Sequence, residues 1–341
     1  MAAWYIEKGP EGDVVISSRV RLARNFNSIP FPARMNREQG LEVIEKCKSA
    51  ILGSEKPLLK EYKYVSISEL DVVEKQVMVE KHLISPEMLQ EAHSRGAMLS
   101  HDEKVSIMIN EEDHLRIQCL FSGMQVDEAW KLSNQIDDIF EETIEYAYHE
   151  NYGYLTCCPT NVGTGLRASA MVHLPALTIT GYINSILNAV SKLGIAVRGI
   201  YGEGSEARGS ILQISNQVTL GIPEQEVLEN LKTIVNQITD QERAARNSLL
   251  KNSRLKLEDR LYRSYGIFSN ARIMTSEEFM KLLSDVRLGV NLDIIKNITI
   301  ETLNELMVAT QPASIMQEYG RQLGPEERDV KRAELIREKI G

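Results

Sequence analysis

The stretch "VSIMINEEDHLRIQCLF", residues 105–121, contains two runs of β-forming residues separated by four polar residues. The runs at 105–110 and 115–121 flank "EEDH" at 111–114. Two β-rich runs joined by a short polar segment predict a hairpin of antiparallel strands with a polar tip. The acidic residues of that tip would then be held at the end of a paired, ordered element.

Short predicted strands and amphipathic helices are found on both sides of this hairpin. From Pro223 onward only helical spacing is found, and the last helix opens at Gly324-Pro325. We therefore predict a mixed α/β catalytic domain over 1–250 and an all-helical domain over 251–341. The remaining predicted strands cover 14–22, 61–67, 170–174, 194–202 and 210–216, and the predicted helices before Pro223 cover 36–52, 127–149, 178–192 and a segment capped by Ser85.

Composition sets limits on the class of protein. The chain has 341 residues, a length typical of two domains, and a net charge of −9, which argues against general nucleic-acid binding. It contains no apolar run long enough to cross a membrane and no secretory signal at its start. Its four cysteines match neither a disulfide framework nor a zinc motif, so we expect a reducing cytoplasm and no metal-binding side chains.

Five arginines lie on or beside predicted strands of the first domain. On spacing alone they are either solvated surface residues or a cradle for a polyphosphate, since guanidinium groups bind phosphate oxygens two at a time. The chain has no GxxxxGK[ST] loop and no HRD or DFG motif, so such a cradle would belong neither to a P-loop enzyme nor to a protein kinase of the usual type. The five are Arg19, Arg21, Arg116, Arg167 and Arg198.

Five motifs in order make the chain resemble the phosphagen (guanidino) kinases, and most closely their bacterial branch that acts on protein arginine. They are "SSRVRLARN" (17–25), "NEEDHLR" (110–116), "CPTNVGTGLRA" (158–168), "RGIYGE" (198–203) and "ISN" (214–216). The resemblance implies an α+β fold: an antiparallel sheet flanked by helices, of the glutamine-synthetase-like type, followed by a C-terminal all-helical domain.

The resemblance also implies that the five arginines clamp the phosphates of ATP. His82, in "VEKHLISP", resembles the histidine beside the adenine and ribose, although alone it would be an ordinary partly buried histidine. The nucleotide-binding blocks predicted in this way comprise Ser17, Ser18, Arg19, Val20, Arg21, His82, Arg116, Arg167, Ala168, Ser169, Ala170, Met171, Arg198, Gly199, Ile200, Tyr201 and Gly202.

Phosphorylation of a guanidinium requires groups that align one nitrogen and accept its proton, and carboxylates can do both. By resemblance Glu112 is the principal carboxylate and Glu203 the second, as in members that act on arginine rather than creatine. Cys158 would contact the guanidinium electrostatically, because nearby cations favour the thiolate. The alternatives are a solvated hairpin tip for Glu112, a flexible acidic loop without a ligand for Glu203 and a buried inert thiol for Cys158.

Two features bear on the substrate. The "SSRVR" motif begins at residue 17, where ordinary phosphagen kinases carry a preceding helical domain, so we expect that domain to be absent and a protein side chain to enter the site. "RDVKRA" (328–333) resembles a phosphoarginine-binding motif, with Arg328 and Arg332 holding the phosphate and Asp329 the guanidinium. Alone, it would be a charged solvated helix.

Together these features predict a protein-arginine kinase that uses ATP and Mg²⁺, works in the cytoplasm in stress response or regulated degradation, and senses its own product allosterically. The implied partners are arginine-bearing proteins including a heat-shock repressor, a zinc-binding activator protein, a AAA+ unfoldase and a second copy of the chain. Two alternatives remain open: a small-molecule guanidino kinase and a non-catalytic phosphoarginine reader. One departure is that "ISN" is followed by Gln217-Val218-Thr219-Leu220-Gly221, without the acidic residue often found there.

Overall fold

A computed structural model describes residues 4–90, 94–199 and 209–340. Eight strands among these residues form one sheet in the order β2-β3-β4-β5-β1-β8-β10-β9, and every pair is antiparallel. They are β1 Val15–Arg24, β2 Tyr62–Ser66, β3 Gly96–Ser100, β4 Val105–Ile109, β5 Leu115–Ser122, β8 Leu166–His173, β9 Ile195–Arg198 and β10 Ile211–Asn216, while β6 Tyr148–His149 and β7 Gly153–Tyr154 make a separate hairpin.

Helices back this sheet and build the C-terminal part. Nowhere in the described ranges is a helix both long and apolar enough to cross a membrane. The helices are α1 Arg37–Leu52, α2 Val72–Glu80, α3 Val126–Glu141, α4 Pro175–Ile179, α5 Ile183–Ser191, α6 Glu224–Asn270, α7 Ser276–Asn291, α8 Ile300–Ala309, α9 Pro312–Glu318 and α10 Pro325–Ile340.

The period of two along β1 separates the two faces of the sheet. Val20 and Leu22 are buried in the main hydrophobic core, together with residues of α1, α3 and the first half of α6. Arg19 and Arg21 alternate with them and therefore stand on the opposite face. Burial of the apolar side chains thus dictates which residues face the open side of the sheet.

The antiparallel sheet and the hairpin at 105–121 are confirmed: β4 and β5 pair from Val105 opposite Cys119 to Ile109 opposite Leu115. Three local predictions are wrong. The helix predicted over 178–192 is divided, since α4 ends at Ile179 and α5 begins at Ile183. The segment after Ser85 is only a 3-10 turn over Pro86–Leu89, because the Ser85 hydroxyl donates to Glu111 instead of capping a helix. The helix predicted to reach residue 149 ends at Glu141.

The predicted domain boundary lies inside α6. This helix crosses residue 250 and is interrupted at Ser253, whose φ of −147° is not helical. Its second half packs with α7, α8 and α10 in a second hydrophobic core that also takes in Ile16, Met171 and Ile211 of the sheet. The helical layer thus packs directly on the sheet, and the division at 250 stays a prediction.

Candidate active site

A cavity of about 570 Å³ lies on the polar face of the sheet. Its floor follows from strand register, because Arg21 of β1 is opposite Arg167 of β8 on one side and Gln118 of β5 on the other. Arg198 of β9 is opposite Gln213 of β10. All five arginines singled out from the sequence line this cavity: Arg19, Arg21, Arg116, Arg167 and Arg198.

The cavity concentrates positive charge in a place poor in water. Burial, together with Arg116 and Arg167, lowers the pKa of Arg19 to about 10. Burial and the same neighbours hold the pKa of Arg21 well below its ordinary value. Within the described part of the chain, the buried Nε of Arg21 has no hydrogen-bond partner, whereas Arg19 Nη2 donates to Gln213 Oε1 at 2.8 Å. Such a set of cations is suited to an anion with several oxygens.

Two adjacent carboxylates at the hairpin tip have different environments. Glu111 is buried, forms an ion pair with Arg116, and accepts hydrogen bonds from Ser85 and from the Glu112 backbone N–H at 2.9 Å. Burial alone would raise the pKa of Glu111, but Arg116, Ser85 and the other donors outweigh it and lower that pKa. Glu111 therefore stays ionised and fixes Arg116.

Glu112 is more open: its side chain is 41% exposed, and its nearest contact with Arg116 is 3.7 Å. Burial, with the negative charges of Asp113 and Glu111, raises the pKa of Glu112 despite the opposing effect of Arg116. A carboxylate that lines the cavity and has a raised pKa can bind a guanidinium and accept a proton.

Cys158 lies at the cavity edge, where Pro159–Asn161 form a 3-10 turn. Its Sγ is 3.0 Å from Thr160 Oγ1. The neighbouring Cys157 N–H donates to Asp113 Oδ1 at 2.7 Å, so the turn is tied to the residue after Glu112. Cys47 and Cys119 are buried in the main core, and all four thiols are free.

His82 lines the same cavity and has a positive φ of 59°. Its carbonyl accepts a hydrogen bond of 2.7 Å from Gln118 Nε2, and its ring centroid lies 6.4 Å from that of Trp4. Burial and the charge of Arg19 lower the pKa of His82 to about 4, so its imidazole is neutral at neutral pH. The ring can therefore pack against an uncharged ring or donate a hydrogen bond.

Strand alternation divides the predicted nucleotide-binding blocks. Ser17, Ser169 and Met171 line a small recess that shares Arg19, His82 and Gln213 with the main cavity. The side chains that do not reach either space belong to the opposite face: Val20, Ala168 and Ala170 lie in the hydrophobic core, and Ser18 donates to Gly123 O. These four side chains therefore do not line the cavity, and their place in the nucleotide-binding blocks stays a prediction. Gly199 is buried after β9, and Ile200, Tyr201, Gly202 and Glu203 lie outside the described residues.

Sequence reasoning missed several polar residues of the cavity. Glu111 lies within the quoted motif but received no role, and Arg95 and Gln213 were not considered. Arg95 Nε donates to Asn110 O at 3.0 Å, so it supports the start of the hairpin tip. The signal for Gln213 was its place on a strand in phase with Arg19, which becomes visible only when the strand order is known.

The C-terminal motif "RDVKRA" lies at the start of α10. Arg328 and Asp329 are partly exposed, whereas the side chain of Arg332 is only 1% exposed. Arg332 donates to Thr310 O at 2.9 Å and to Met274 O at 2.8 Å, and it pairs with Asp329. In this arrangement Arg332 joins helices of the C-terminal layer, and its contact with a phosphate stays a prediction.

Known proteins give a matching picture. Residues 42–245 match the model of the ATP:guanido phosphotransferase C-terminal catalytic domain. The chain therefore belongs to the ATP:guanido phosphotransferase family. Residues 254–341 match the C-terminal domain model of the protein-arginine kinase McsB.

Curated relatives extend the match over the whole chain. A protein-arginine kinase of Bacillus subtilis is 52% identical over 340 residues, which is 100% of this chain and 93% of that protein. A protein-arginine kinase of Caldanaerobacter subterraneus is 54% identical over 324 residues, covering 95% of this chain and 96% of its own. Relatives at this level place the chain on the protein-arginine kinase branch of the family.

Solved structures agree with the fold. A lombricine kinase superposes with a TM-score of 0.61 at 26% identity, covering 71% of this chain and 69% of its own. The duplicated taurocyamine kinase of Schistosoma mansoni, with transition-state analogue components bound, gives a TM-score of 0.60 at 25% identity. That match covers 68% of this chain and 33% of the duplicated enzyme. The expected phosphagen-kinase fold is thus confirmed.

Proposed function

We propose that this protein is an ATP-dependent protein-arginine kinase, which transfers the γ-phosphoryl group of ATP to the guanidino group of arginine side chains in proteins. One observation carries the chemistry: five arginines, Glu112 and Cys158 line the same cavity. Cations for a triphosphate and a carboxylate for a guanidinium therefore meet in one space. The relatives' name and the match of residues 254–341 support a protein as the substrate.

In the proposed reaction the arginines hold the phosphates and neutralise the charge that develops during transfer. A guanidino nitrogen of the substrate attacks the γ-phosphorus, so an N–P bond forms while the bond from phosphorus to the β–γ bridging oxygen breaks. ADP carries away the bond's electron pair, and the nitrogen's proton passes to Glu112. Glu203 is proposed as the second carboxylate that grips the guanidinium.

The remaining site residues orient the two substrates. Cys158 is proposed to contact the substrate guanidinium electrostatically, since it lies at the cavity edge beside the turn 159–161. His82 is proposed to pack beside the base or ribose, because it adjoins the recess lined by Ser17, Ser169 and Met171. Neutral imidazole suits that role, since the nucleoside carries no charge there.

Magnesium is proposed as the metal, because it would bind phosphate oxygens of ATP and offset their negative charge. Across the described ranges no group of three or more His, Cys, Asp or Glu side chains could hold a metal ion. We assign the magnesium ion no side-chain ligand and propose that phosphate and water oxygens would hold it. The arginines, not a metal cage, position the nucleotide.

We further propose a cytoplasmic enzyme that binds phosphoarginine at Arg328, Asp329 and Arg332 and is regulated by it. The four free thiols suit a reducing compartment. Arginine-bearing proteins, among them a heat-shock repressor, are the proposed substrates. A zinc-binding activator protein, a AAA+ unfoldase and a second copy of the chain are the proposed partners, and the net charge of −9 argues against direct nucleic-acid binding.

The test is to incubate the protein with Mg-ATP and either an arginine-rich protein or free arginine. Mass spectrometry under non-acidic conditions, which preserve P–N bonds, should find phosphoarginine on the protein substrate. Turnover on free arginine alone would favour the small-molecule alternative. Absence of transfer even with an activator protein supplied would favour a reader. The Glu203→Ala variant should bind ATP but transfer no phosphate, and an active variant would remove Glu203 from the mechanism.

A further inference from the structure

The segment 216–219 begins at the last residue of β10 and runs beside the segment that carries Cys158 and Arg167. Asn216 Oδ1 accepts a hydrogen bond of 2.8 Å from Ala168 N, and Asn216 Nδ2 donates to Leu166 O at 3.1 Å. The backbone on both sides of Arg167 is therefore held by one buried amide. Three residues later the same segment reaches the Cys158 turn.

Thr219 makes that second connection. It is buried, and its Oγ1 lies 2.9 Å from Thr160 O and 2.8 Å from Val162 O. A hydroxyl has one proton, so these two carbonyls share it. The Thr219 carbonyl in turn accepts from Thr164 N at 3.0 Å. The side chain and the main chain of Thr219 thus bind the segment 160–164 at three of its residues.

The backbone at position 163 lies so close to Thr219 that a residue with a Cβ atom does not fit there. Gly163 has a φ of +113°, and a Cβ built there would lie 2.2 Å from Thr219 O. Only glycine permits this conformation and this approach. The close approach of the backbone at 163 to Thr219 therefore depends on glycine.

We propose that Thr219 is a positioning residue for phosphoryl transfer: its hydroxyl holds the turn that presents Cys158, Thr160 and Asn161 to the cavity. This inference rests on the proposed function of the cavity. Thr219 lies in the stretch after "ISN", residues 217–221, that departs from the family pattern. Loss of the hydroxyl leaves two carbonyls without their donor, and the turn moves to recover hydration.

The variant that tests this is Thr219→Val, which keeps the branched shape and removes the hydroxyl. Thr219→Ser is the matched control, because it keeps the hydroxyl and removes a methyl group. We expect Thr219→Val to lower kcat about tenfold or more through misplacement of the turn, with the Kd for ATP unchanged. Thr219→Ser should restore kcat, which a purely structural packing role would not predict.

A second readout does not depend on catalysis. The alkylation rate of Cys158 by iodoacetamide, followed by peptide mass spectrometry, should change in Thr219→Val and be restored in Thr219→Ser. Cys157 is distinguishable and slow, because burial and Asp113 raise its pKa to about 12. If the wild type transferred no phosphate, the proposed function would fail while this measurement still tested the position of the turn.

The proposal is overturned if Thr219→Val matches the wild type in kcat and in Cys158 alkylation. It is equally overturned if Thr219→Ser is as impaired as Thr219→Val, since shape rather than the hydroxyl would then matter. Should Thr219→Val fail to fold, Thr219→Ala at reduced temperature gives the same comparison with Thr219→Ser, with the same two outcomes deciding it.

Discussion

Arg21 and Arg167 are directly opposed residues of the antiparallel strands β1 and β8, so two guanidinium groups extend from neighbouring positions on one face of the sheet. Directly opposed like charges destabilise a strand pair by up to about 1 kcal/mol. A sheet that keeps this pair in a cavity is less stable without an anion than with one. Nucleotide binding and folding stability are therefore coupled at this position.

The first prediction uses this coupling. Arg21→Gln should raise the unfolding temperature of the nucleotide-free protein, because it removes one of the crowded charges and a buried Nε that no described residue binds. It should weaken ATP binding about tenfold or more, the value of a charge-assisted hydrogen bond. Thermal unfolding with and without ATP measures both effects.

The control for this variant is Arg263→Gln, which changes an exposed arginine on α6 whose side chain is 76% exposed. It removes the same charge far from the sheet register described above, so neither stability nor ATP affinity should change. An Arg21→Gln protein that melts lower than the wild type without nucleotide would contradict the electrostatic account.

The second prediction separates the two carboxylates of the hairpin tip. Glu112→Gln should reduce transfer about a hundredfold or more while ATP binding is retained, because a proton acceptor is lost. Glu111→Gln should instead weaken ATP binding, since it releases Arg116 and Ser85. Steady-state kinetics and nucleotide titration of both variants make the comparison, and identical defects in the two would refute the division of roles.

The pH profile gives an independent check on Glu112. Its pKa is raised mainly by burial, so the ionised form that accepts the proton is lost at a higher pH than for an ordinary glutamate. The acid limb of kcat/KM should therefore fall at a pH above 4.5, the ordinary pKa of a glutamate. Residual activity of Glu112→Gln should lack that limb, and an unchanged limb would assign it to another group.

How far the sequence predicts this site depends on the kind of information required. Arg19 and Arg21 were identifiable as neighbours on one face because a strand has a period of two. The same rule puts the side chain of Val20, which the motif block includes, on the core face of the strand. Motifs locate segments, whereas burial on one face decides which side chains of a segment reach the ligand.

Residues brought in by long-range pairing were not predictable in the same way. Gln213 belongs to no local motif, and the hydrogen bond that it accepts from Arg19 joins residues 194 positions apart in the sequence. Ser85 shows the opposite failure: Ser followed by Pro favours a helix start, but the Glu111 carboxylate captures the hydroxyl. Tertiary hydrogen bonding overrode a local preference there, as it does wherever a buried charge needs donors.

The third prediction concerns the ion pairs that connect Asp13, in the N-terminal segment, to α6. Asp13 binds Arg243 at 2.6 Å and Arg246 at 3.4 Å. Burial would raise the pKa of Asp13, but these two guanidinium groups outweigh it and lower that pKa below 3.8. A carboxylate with a lowered folded-state pKa stabilises the fold above its unfolded-state pKa and loses this effect as pH falls through the folded-state value.

Asp13→Asn should accordingly reduce the free energy of unfolding by about 1 kcal/mol at pH 7, and the difference should shrink as pH falls below about 4. Denaturant titrations at several pH values measure it. Asp259→Asn on the exposed face of α6 is the control, since its pair with Arg263 is solvent-exposed and should contribute nothing measurable. A difference that grew on acidification would reverse the sign and disprove the account.

The last prediction distinguishes a ligand contact from a structural one in the C-terminal motif. Arg332 is buried and donates to the carbonyls of Thr310 and Met274, so Arg332→Ala leaves both acceptors and Asp329 without their partner. The loss should be about 3 kcal/mol in stability, the cost of breaking a buried hydrogen-bonded charge. Arg328→Ala removes a partly exposed side chain and should leave the unfolding temperature nearly unchanged.

Calorimetric titration with phosphoarginine then gives the discriminating measurement. If Arg328 holds the phosphate, Arg328→Ala should weaken binding with little loss of stability, because the buried Glu80, whose carboxylate interacts with the charge of Arg328, keeps its hydrogen bonds from Ala313 N and Ser314 N. Arg332→Ala should also bind phosphoarginine weakly, but with a lower unfolding temperature. The weak binding would then result from displacement of the start of α10. An Arg332→Ala protein that melts like the wild type but no longer binds phosphoarginine would instead show that Arg332 leaves its carbonyl partners to take up the ligand.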